Sequence, residues 1–168
     1  MNFEQVQYMN KVYLLIGGNM GNRIEHLQMA VDHIGQRVGQ VTQVSALYET
    51  AAWGKTDQPS FLNQALLVQT LLEPLPLLKK LLSIELEMGR ERLEKNGPRT
   101  IDIDIIFYND AIINEPGLLV PHPAMAQRRF VLAPLAEIAP DLHHPQLKQT
   151  MRELLEACTD PLPVARFN

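Results

Sequence analysis

The sequence predicts an α+β domain in which helices pack on one face of an antiparallel sheet. The chain has 168 residues and contains several short apolar runs bounded by turn residues, which is typical of strands. Two segments carry apolar residues at helical spacing and begin with capping patterns. Along the chain these segments follow the order strand, helix, strand, strand, helix, strand. That is the order of a split βαβ, or ferredoxin-like, domain, and it leaves the other sheet face for an active site.

The first half of the chain supplies three of the strands and one helix. The predicted strands are residues 11–17, 41–50 and 61–71. The first of them ends at a Gly-Gly-Asn turn. Asn22 then stands three residues before Glu25, which is a capping-box pattern, and the helix that follows is expected to stop at Gly39.

The second half begins with a helix and becomes less regular. Pro74 suits the first turn of a helix, which is expected to continue to about Gly89. A charged loop over 91–98 precedes a strand over 100–108. The remaining predictions are a hairpin arm at 112–113, a short helix at 124–128, a strand at 131–135 and a helix at 147–158.

Composition limits the class of protein. The length fits one domain, residues 11–168, which we expect to follow a flexible extension, residues 1–10. The net charge of −4 argues against a general nucleic-acid binder. No apolar stretch approaches the roughly 20 residues that span a membrane, and the start of the chain lacks a signal-peptide pattern. We expect a cytoplasmic monomer that binds small molecules, with no nucleic-acid or membrane partner.

Two aspartates stand two residues apart in the predicted strand over 100–108. Because side chains alternate along a strand, Asp102 and Asp104 share one face, about 7 Å apart. The residues predicted on the opposite face are Ile101, Ile103, Ile105 and Phe107. Paired carboxylates repel each other, and Mg²⁺ binds such oxygens while water and phosphate complete its coordination. A solvated outer sheet face gives the same short pattern and stays an alternative.

Arginines flank this strand on both sides. They are Arg90, Arg92 and Arg99 before it, and Arg128 and Arg129 after it. Guanidinium groups bind phosphate through paired hydrogen bonds, and phosphoryl transfer needs cations around a polyphosphate. The polar loop GRERLEKNGPR is suited to closing over a substrate. A structural network of Asp–Arg salt bridges is the alternative.

Four further side chains have possible roles in binding. Glu85 lies within the apolar face of the second helix and must be paired or reach a polar pocket. It is therefore a candidate for contact with adenine or ribose, or a partner of a core arginine. Phe61 and Asn63 share a strand face and suit a flat heterocycle, although both are common in ordinary sheets. His122 is held between two prolines, either near a phosphate or as a structural turn residue.

Several nucleotide-binding and catalytic patterns are absent from the sequence. GGNMGNR lacks the lysine and spacing of a Walker loop, and it does not match the dinucleotide fingerprint. Serine-hydrolase, zinc-helix and protein-kinase motifs are also missing. If the protein uses ATP, groups other than a P-loop must hold it.

Four stretches together resemble the 6-hydroxymethyl-7,8-dihydropterin pyrophosphokinase family of folate biosynthesis. They are LLIGGNMGNR; YETAAWG with DQPSFLNQ; IELEMGRERLEKNGPRTIDIDIIFY; and LLVPHPAMAQRRFVLAPLAEIAP. The resemblance extends from about residue 12 to residue 142. Its specificity lies in the combination, order and spacing of the stretches.

The resemblance implies a ferredoxin-like α+β fold and Mg²⁺-dependent transfer of the β,γ-diphosphate of ATP to the pterin hydroxymethyl oxygen, giving AMP. It implies that Asp102 and Asp104 bind two Mg²⁺ ions and that Arg90 and Arg92 are mobile catalytic arginines. The residues implied to contact ATP are Glu85, Arg92, Arg99, Ile105, His122 and Arg128. The residues implied to form the pterin pocket are Thr50, Ala51, Trp53, Phe61, Asn63 and Phe130.

The chain departs from some members of the family at two positions. Asn96 replaces a loop tryptophan, which implies a different seal over the pterin, and Pro123 replaces a tyrosine, which implies one ATP contact fewer. Two other functions remain open. One is a different Mg²⁺-dependent phosphotransferase or nucleotidyltransferase, which the reaction products would distinguish. The other is a non-catalytic ligand-binding domain, which would show no turnover.

Overall fold

The computed structural model describes residues 9–52, 57–90 and 97–168. Within these residues, six strands form one sheet, a separate hairpin lies beside it, and four helices surround them. The strands are β1 (Asn10–Gly18), β2 (Gln40–Val44), β3 (Tyr48–Thr50), β4 (Phe61–Thr70), β5 (Asp102–Tyr108), β6 (Ile113–Glu115), β7 (Leu118–Val120) and β8 (Val164–Arg166). The helices are α1 (Arg23–Arg37), α2 (Pro74–Glu87), α3 (Arg129–Ile138) and α4 (Met151–Ala157).

The strands pair antiparallel in the order β5-β1-β4-β3-β8, and β2 pairs with β4 beside β3. β1 lies between β5 and β4, and apart from Asn10 and Lys11 at its start it is apolar and mostly buried. β6 and β7 form the separate hairpin. The predicted α+β architecture with an antiparallel sheet is confirmed.

Helices α1 and α2 cover one face of the sheet. Their buried residues include Leu27 and Ile34 of α1, and Leu77 and Leu81 of α2. They pack against side chains of β1 and β4, and each fully buried leucine or isoleucine contributes about 1.5–3 kcal/mol. The capping predictions hold here. The Asn22 side chain accepts a hydrogen bond from the backbone N–H of Glu25, and Pro74 opens α2.

The expectation that helices pack on one sheet face only is wrong. Helices α3 and α4 pack against the other face, where Val131, Leu135 and Met151 join a second core. Residues 131–135, predicted as a strand, belong to α3. A five-residue apolar run cannot distinguish a strand from a buried helix, and Pro134 inside the run argued against a helix. Only part of this face is left for a ligand.

A β-bulge changes which residues of β5 share a face. Tyr13 pairs with Phe107 and Leu14 pairs with Ile105, so Ile106 is an extra residue between them. As a result Ile105 lies in the core under α1 and α2, whereas Phe107 lies in the core under α3 and α4. The prediction that Phe107 shares a face with Ile101, Ile103 and Ile105 is therefore wrong.

Other boundaries differ from those predicted. The strand expected over 41–50 is two strands, β2 and β3, and the final helix begins at Met151 because the Thr150 side chain caps it. Strands β7 and β8 were not predicted. The first strand begins at Asn10, and residues 1–8 of the expected extension lie outside the described residues. Among the described residues, no helix is long and apolar enough to cross a membrane.

Candidate active site

Three paired strands bring a carboxylate and an amide to the same end of the sheet. Gly17 of β1 pairs with Asp102 of β5 on one side and with Asn63 of β4 on the other. Residues directly opposite each other in antiparallel strands point to the same face, so Asp102 and Asn63 flank Gly17. A Cβ atom on Gly17 would lie 2.1 Å from the Asn63 Oδ1 atom. The missing side chain therefore lets the Asn63 amide lie directly against Gly17, and both residues, together with Asp102, line the hollow above them.

A small cavity of about 60 Å³ lies over this hollow and is called the smaller cavity below. It brings together five of the six residues implied for the pterin pocket: Thr50, Ala51, Phe61, Asn63 and Phe130. The sixth, Trp53, lies outside the described residues. Arg99 and Arg128, implied as ATP contacts, line this cavity as well.

An open groove of about 770 Å³ lies along the outer edge of β5 and is called the larger groove below. Three residues implied for ATP, namely Glu85, Ile105 and His122, line it. Leucines from α2 and the β6–β7 hairpin supply an apolar wall. Arg92, also implied for ATP, lies outside the described residues. Asp102 and Asp104 line both the groove and the smaller cavity, so the two spaces meet at the aspartate pair.

Charged groups form a chain between α2 and β5. Arg90 contacts a Glu85 carboxylate oxygen at 2.9 Å and donates to the Asp102 Oδ1 atom at 2.6 Å. Arg99 donates to the other oxygen, Oδ2, at 2.9 Å. The remaining Glu85 oxygen accepts from the backbone N–H of Ile103 at 2.7 Å. The structural network of Asp–Arg salt bridges, which was the alternative to phosphate binding, is therefore present. Binding of phosphate by the same arginines stays a prediction.

Burial and like charges raise the pKa values of two carboxyl groups. The pKa of Asp104 is raised to about 7 by burial first, and then by the negative charges of Asp102 and Glu85. Burial also raises the pKa of Glu85, although Arg90 and the Ile103 N–H favour its charged form. Asp104 is thus a buried carboxylate next to two others, and a bound cation would favour its ionised form.

His122 is held in a defined tautomer. Burial, and then the positive charge of Arg128, lower the pKa of this imidazole, so it is neutral at pH 7. Its Nδ1 atom accepts a hydrogen bond from the backbone N–H of Ala124 at 3.2 Å. The ring proton of the neutral imidazole is therefore on Nε2, where it can be donated to a ligand.

Two arginines lie over aromatic rings in the smaller cavity. The guanidinium carbon of Arg99 is 5.3 Å from the centre of the Phe61 ring, and that of Arg128 is 5.8 Å from the centre of the Phe130 ring. Each arrangement is a cation–π contact. The cavity volume is well below the roughly 300 Å³ of a small-molecule site, so a ligand between these rings requires the arginines to move.

Asn19 positions Arg99, which lines the smaller cavity, and this role was not predicted from the sequence. Its side chain is only 3% exposed, and its Nδ2 atom donates to Gln58 Oε1 and to the Pro59 carbonyl, both at 2.9 Å. Its Oδ1 atom accepts from the backbone N–H of Arg99 at 3.0 Å. Asn19 lies in the Gly-Gly-Asn turn and in the LLIGGNMGNR stretch of the family resemblance, and neither pattern assigns a contact to its side chain.

The described residues show no group of three or more His, Cys, Asp or Glu side chains that could hold a metal ion. The aspartate pair is a two-carboxylate site instead. This set is suited to Mg²⁺, which binds one or two carboxylates and obtains its other ligands from water and substrate phosphates.

Residues 13–140 match the model of the family described as 7,8-dihydro-6-hydroxymethylpterin-pyrophosphokinase (HPPK). The chain belongs to this family. The predicted membership is confirmed, and with it the prediction that the chain is an enzyme, a pyrophosphokinase.

Two relatives have the name 2-amino-4-hydroxy-6-hydroxymethyldihydropteridine pyrophosphokinase. The one from Methylorubrum extorquens is 44% identical over 159 residues, which cover 94% of this chain and 99% of the relative. The one from Synechocystis sp. is 43% identical over 153 residues, which cover 89% of this chain and 78% of the relative.

The wild-type HPPK-DHPS crystal structure from Plasmodium falciparum has a similar fold. It superimposes with a TM-score of 0.76 at 19% identity. The superposition covers 92% of this chain and 44% of the solved chain, so this protein spans less than half of that chain. At this level of identity, the similarity supports the fold alone.

Proposed function

We propose that the protein transfers the β,γ-diphosphate of ATP to the hydroxymethyl oxygen of 6-hydroxymethyl-7,8-dihydropterin. The products are AMP and the pterin diphosphate, and the reaction serves folate biosynthesis in the cytoplasm, with the protein acting as a monomer. The observation that carries the proposal is the meeting of the smaller cavity and the larger groove at Asp102 and Asp104. Transfer of a phosphate group between two substrates requires that both are held next to each other. The charged residues that stabilise the transferred group have to lie where the two binding spaces meet.

In this proposal the smaller cavity binds the pterin. Phe61 and Phe130 provide aromatic faces for a flat ring, and the buried Asn63 amide can both donate to and accept from its edge. The hollow over Gly17 lets the heterocycle approach the sheet. Thr50 and Ala51 form a wall at the end of β3.

The larger groove binds the nucleotide. Its leucine wall suits adenine, and Glu85, which is paired with Arg90 and the Ile103 N–H, lines the groove as a candidate contact for the base or ribose. The neutral His122 imidazole donates from Nε2 to a phosphate oxygen. Arg90, Arg99 and Arg128 neutralise phosphate charge from the side of the aspartates, which is the main contribution a protein can make to this class of reaction.

Asp102 and Asp104 would hold two Mg²⁺ ions. The fit rests on the raised pKa of Asp104, because burial, Asp102 and Glu85 leave a carboxylate that gains from a nearby cation. When bound, Mg²⁺ supplies charge neutralisation to the phosphates. Each Asp102 oxygen accepts one hydrogen bond from an arginine, either Arg90 or Arg99, and keeps lone-pair capacity for Mg²⁺, so both guanidinium groups would lie beside the polyphosphate.

The bonds that change follow from an in-line transfer. The hydroxymethyl oxygen of the pterin loses its proton to solvent and forms a bond to the β-phosphorus, and the bond from that phosphorus to the oxygen shared with the α-phosphate breaks. AMP leaves with the bridging oxygen. Positioning of the two substrates and neutralisation of charge are the main catalytic effects of the named residues.

Product analysis tests the proposal. The protein is mixed with ATP, Mg²⁺ and 6-hydroxymethyl-7,8-dihydropterin, and the products are separated by chromatography. We expect AMP and pterin diphosphate in equal amounts, their loss in Asp104→Asn, and unchanged formation in the exposed control Asp141→Asn. Formation of ADP or free pyrophosphate would instead support another phosphotransferase or a nucleotidyltransferase. No turnover by a folded protein that binds ATP would refute the proposed reaction.

A further inference from the structure

The C-terminal segment, residues 158–167, lies outside residues 13–140, which match the family model, and contacts two elements that carry residues of the smaller cavity. Its strand β8 pairs with the free edge of β3, with Val164 opposite Thr50. The Thr50 hydroxyl donates to the Pro163 carbonyl at 3.1 Å, and the Phe167 N–H donates to the Leu47 carbonyl at 2.8 Å. The segment therefore holds the strand that ends at one wall of the cavity.

The other end of the segment holds the opposite wall. Asp160 is a buried carboxylate, only 6% exposed, and its Oδ2 atom accepts from the backbone N–H of Arg129 at 2.9 Å. Arg129 in turn donates to the carbonyls of Cys158 at 2.9 Å and Asp160 at 3.2 Å. Arg129 stands between Arg128 and Phe130, which both line the cavity. Asp160 thus fixes the chain from which these two side chains project.

Burial of a carboxylate is costly unless its oxygens are hydrogen-bonded, and both Asp160 oxygens are used. The second oxygen, Oδ1, accepts from the backbone N–H of Leu162 at 3.0 Å, which turns the segment towards β8. One short segment therefore connects the wall at Thr50 with the wall at Arg128 and Phe130. The proposed reaction assigns no step to Asp160.

We propose that residues 158–167 form a brace that sets the width of the smaller cavity, with Asp160 as its positioning residue. The inference rests on the proposed function only for the identity of the ligand, a dihydropterin alcohol. A purely structural role would lower stability without a selective effect on one substrate. A positioning role weakens binding of the acceptor and loosens both cavity walls together.

The first measurement needs no substrate. Asp160→Asn keeps the shape of the side chain but places an amide N–H₂ group where only acceptors fit. Amide hydrogen exchange of the ligand-free protein should become faster at Arg129 and Phe130 and also at Thr50, on the far wall. Amides of β1 and β5 should keep their protection. Asp141→Asn is the matched control, because that side chain is 81% exposed and pairs with the exposed Arg152 at 3.4 Å. Faster exchange confined to 128–130 would overturn the brace.

The second measurement separates the two substrates. The Kd of the dihydropterin is measured with a non-hydrolysable ATP analogue and Mg²⁺ present, and the Kd of the analogue is measured alone. In Asp160→Asn we expect the dihydropterin Kd to rise about ten-fold, which corresponds to about 1.4 kcal/mol. The Kd of the analogue should rise less, by under about three-fold, because Arg128 is only one of three arginines proposed to contact the phosphates. An equal rise in both Kd values would contradict the proposal.

A second variant acts from the other end of the brace. Ala165 pairs with Glu49 in the middle of the β8 ladder, and Ala165→Pro disrupts that ladder without touching Arg129. It should raise the dihydropterin Kd in the same way and speed exchange at Phe130. Wild-type affinity for the dihydropterin in both variants would refute the brace. If the wild type itself does not bind the dihydropterin, the proposed function fails, and the exchange experiment still decides the brace.

Discussion

Asn19 and Arg99 are joined by two hydrogen bonds. The Asn19 N–H donates to the Arg99 carbonyl at 3.1 Å, and the Arg99 N–H donates to the Asn19 Oδ1 atom at 3.0 Å. Through its amide nitrogen, Asn19 also holds the segment before β4. One buried side chain thus connects the residues just before β5, which begins at Asp102, with those just before β4, which begins at Phe61.

Replacement of Asn19 by alanine should therefore impair both stability and turnover. The loss of buried hydrogen bonds is expected to cost about 1–3 kcal/mol in the free energy of unfolding. The displaced segments should lower kcat/KM about 10- to 100-fold. Urea denaturation and steady-state kinetics measure the two effects, with the exposed Asn114→Ala as a control. Asn19→Asp keeps the acceptor for Arg99 but places a buried carboxylate oxygen against the Gln58 Oε1 and Pro59 carbonyl oxygens, so its defect should be at least as large. A fully active Asn19→Ala protein would contradict this role.

Asp104 should make the metal-free protein less stable at alkaline pH. Its pKa in the folded protein, about 7, lies above the ordinary value of 3.8, so the folded state binds this proton more tightly than the unfolded state. The resulting stability is fully present below about pH 4 and is lost as the pH rises through about 7. Asp104→Asn should therefore raise the Tm at pH 8, in EDTA, and have little effect near pH 4. The same variant should lose at least about 1000-fold in turnover. A lower Tm of Asp104→Asn at pH 8 would show that the ionised Asp104 side chain does not destabilise the folded protein.

Binding of a magnesium nucleotide should release the Asp104 proton. A cation at the aspartate pair favours the ionised form, so near pH 6 a preformed complex of Mg²⁺ with a non-hydrolysable ATP analogue should displace about one proton per protein. Near pH 8.5 the release should be close to zero, because the carboxyl group is already ionised. Calorimetry in buffers of different ionisation enthalpy counts the protons. The nucleotide without Mg²⁺, in EDTA, is the control and should release none, since phosphates alone favour protonated Asp104. Equal heats in all buffers at pH 6 would contradict the assignment.

The sequence predicted the parts of the site that depend on alternation and local order. Spacing within one element predicts that Asp102 and Asp104 share a strand face, and that Phe61 and Asn63 do so as well. Local sequence likewise predicts the helix starts at Asn22 and Pro74. Their outcomes agree because strand and helix periodicity fix the direction of a side chain as soon as the element is identified. The resemblance to a known family added the assignment of roles to individual residues.

What the sequence did not predict depends on contacts between distant segments. The bulge at Ile106 shows only when β5 is paired with β1, and the helical state of 131–135 is decided by the second core beneath α3. Asn19 has the sequence context of an ordinary turn asparagine, and its side-chain contacts with the distant Gln58 and Arg99 cannot be predicted from that context. Strand β8 has only three residues and is stabilised by pairing with β3, so its local sequence does not predict it.

The position of Gly17 between Asp102 and Asn63 gives the sharpest test of the smaller cavity. An added Cβ atom would lie 2.1 Å from the Asn63 Oδ1 atom and 3.1 Å from the Leu62 carbonyl oxygen, so Gly17→Ala must displace the amide. If Asn63 contacts the pterin, the KM for the pterin should rise about ten-fold or more, while the KM for ATP should change by less than about three-fold. Gly35→Ala is the matched control. That glycine lies on the exposed side of α1 with nothing within 4 Å of the added atom, so the variant should keep full activity and gain about 0.5–1 kcal/mol of stability. If instead the two KM values in Gly17→Ala rise together, the hollow serves both substrates and the division between the smaller cavity and the larger groove is wrong.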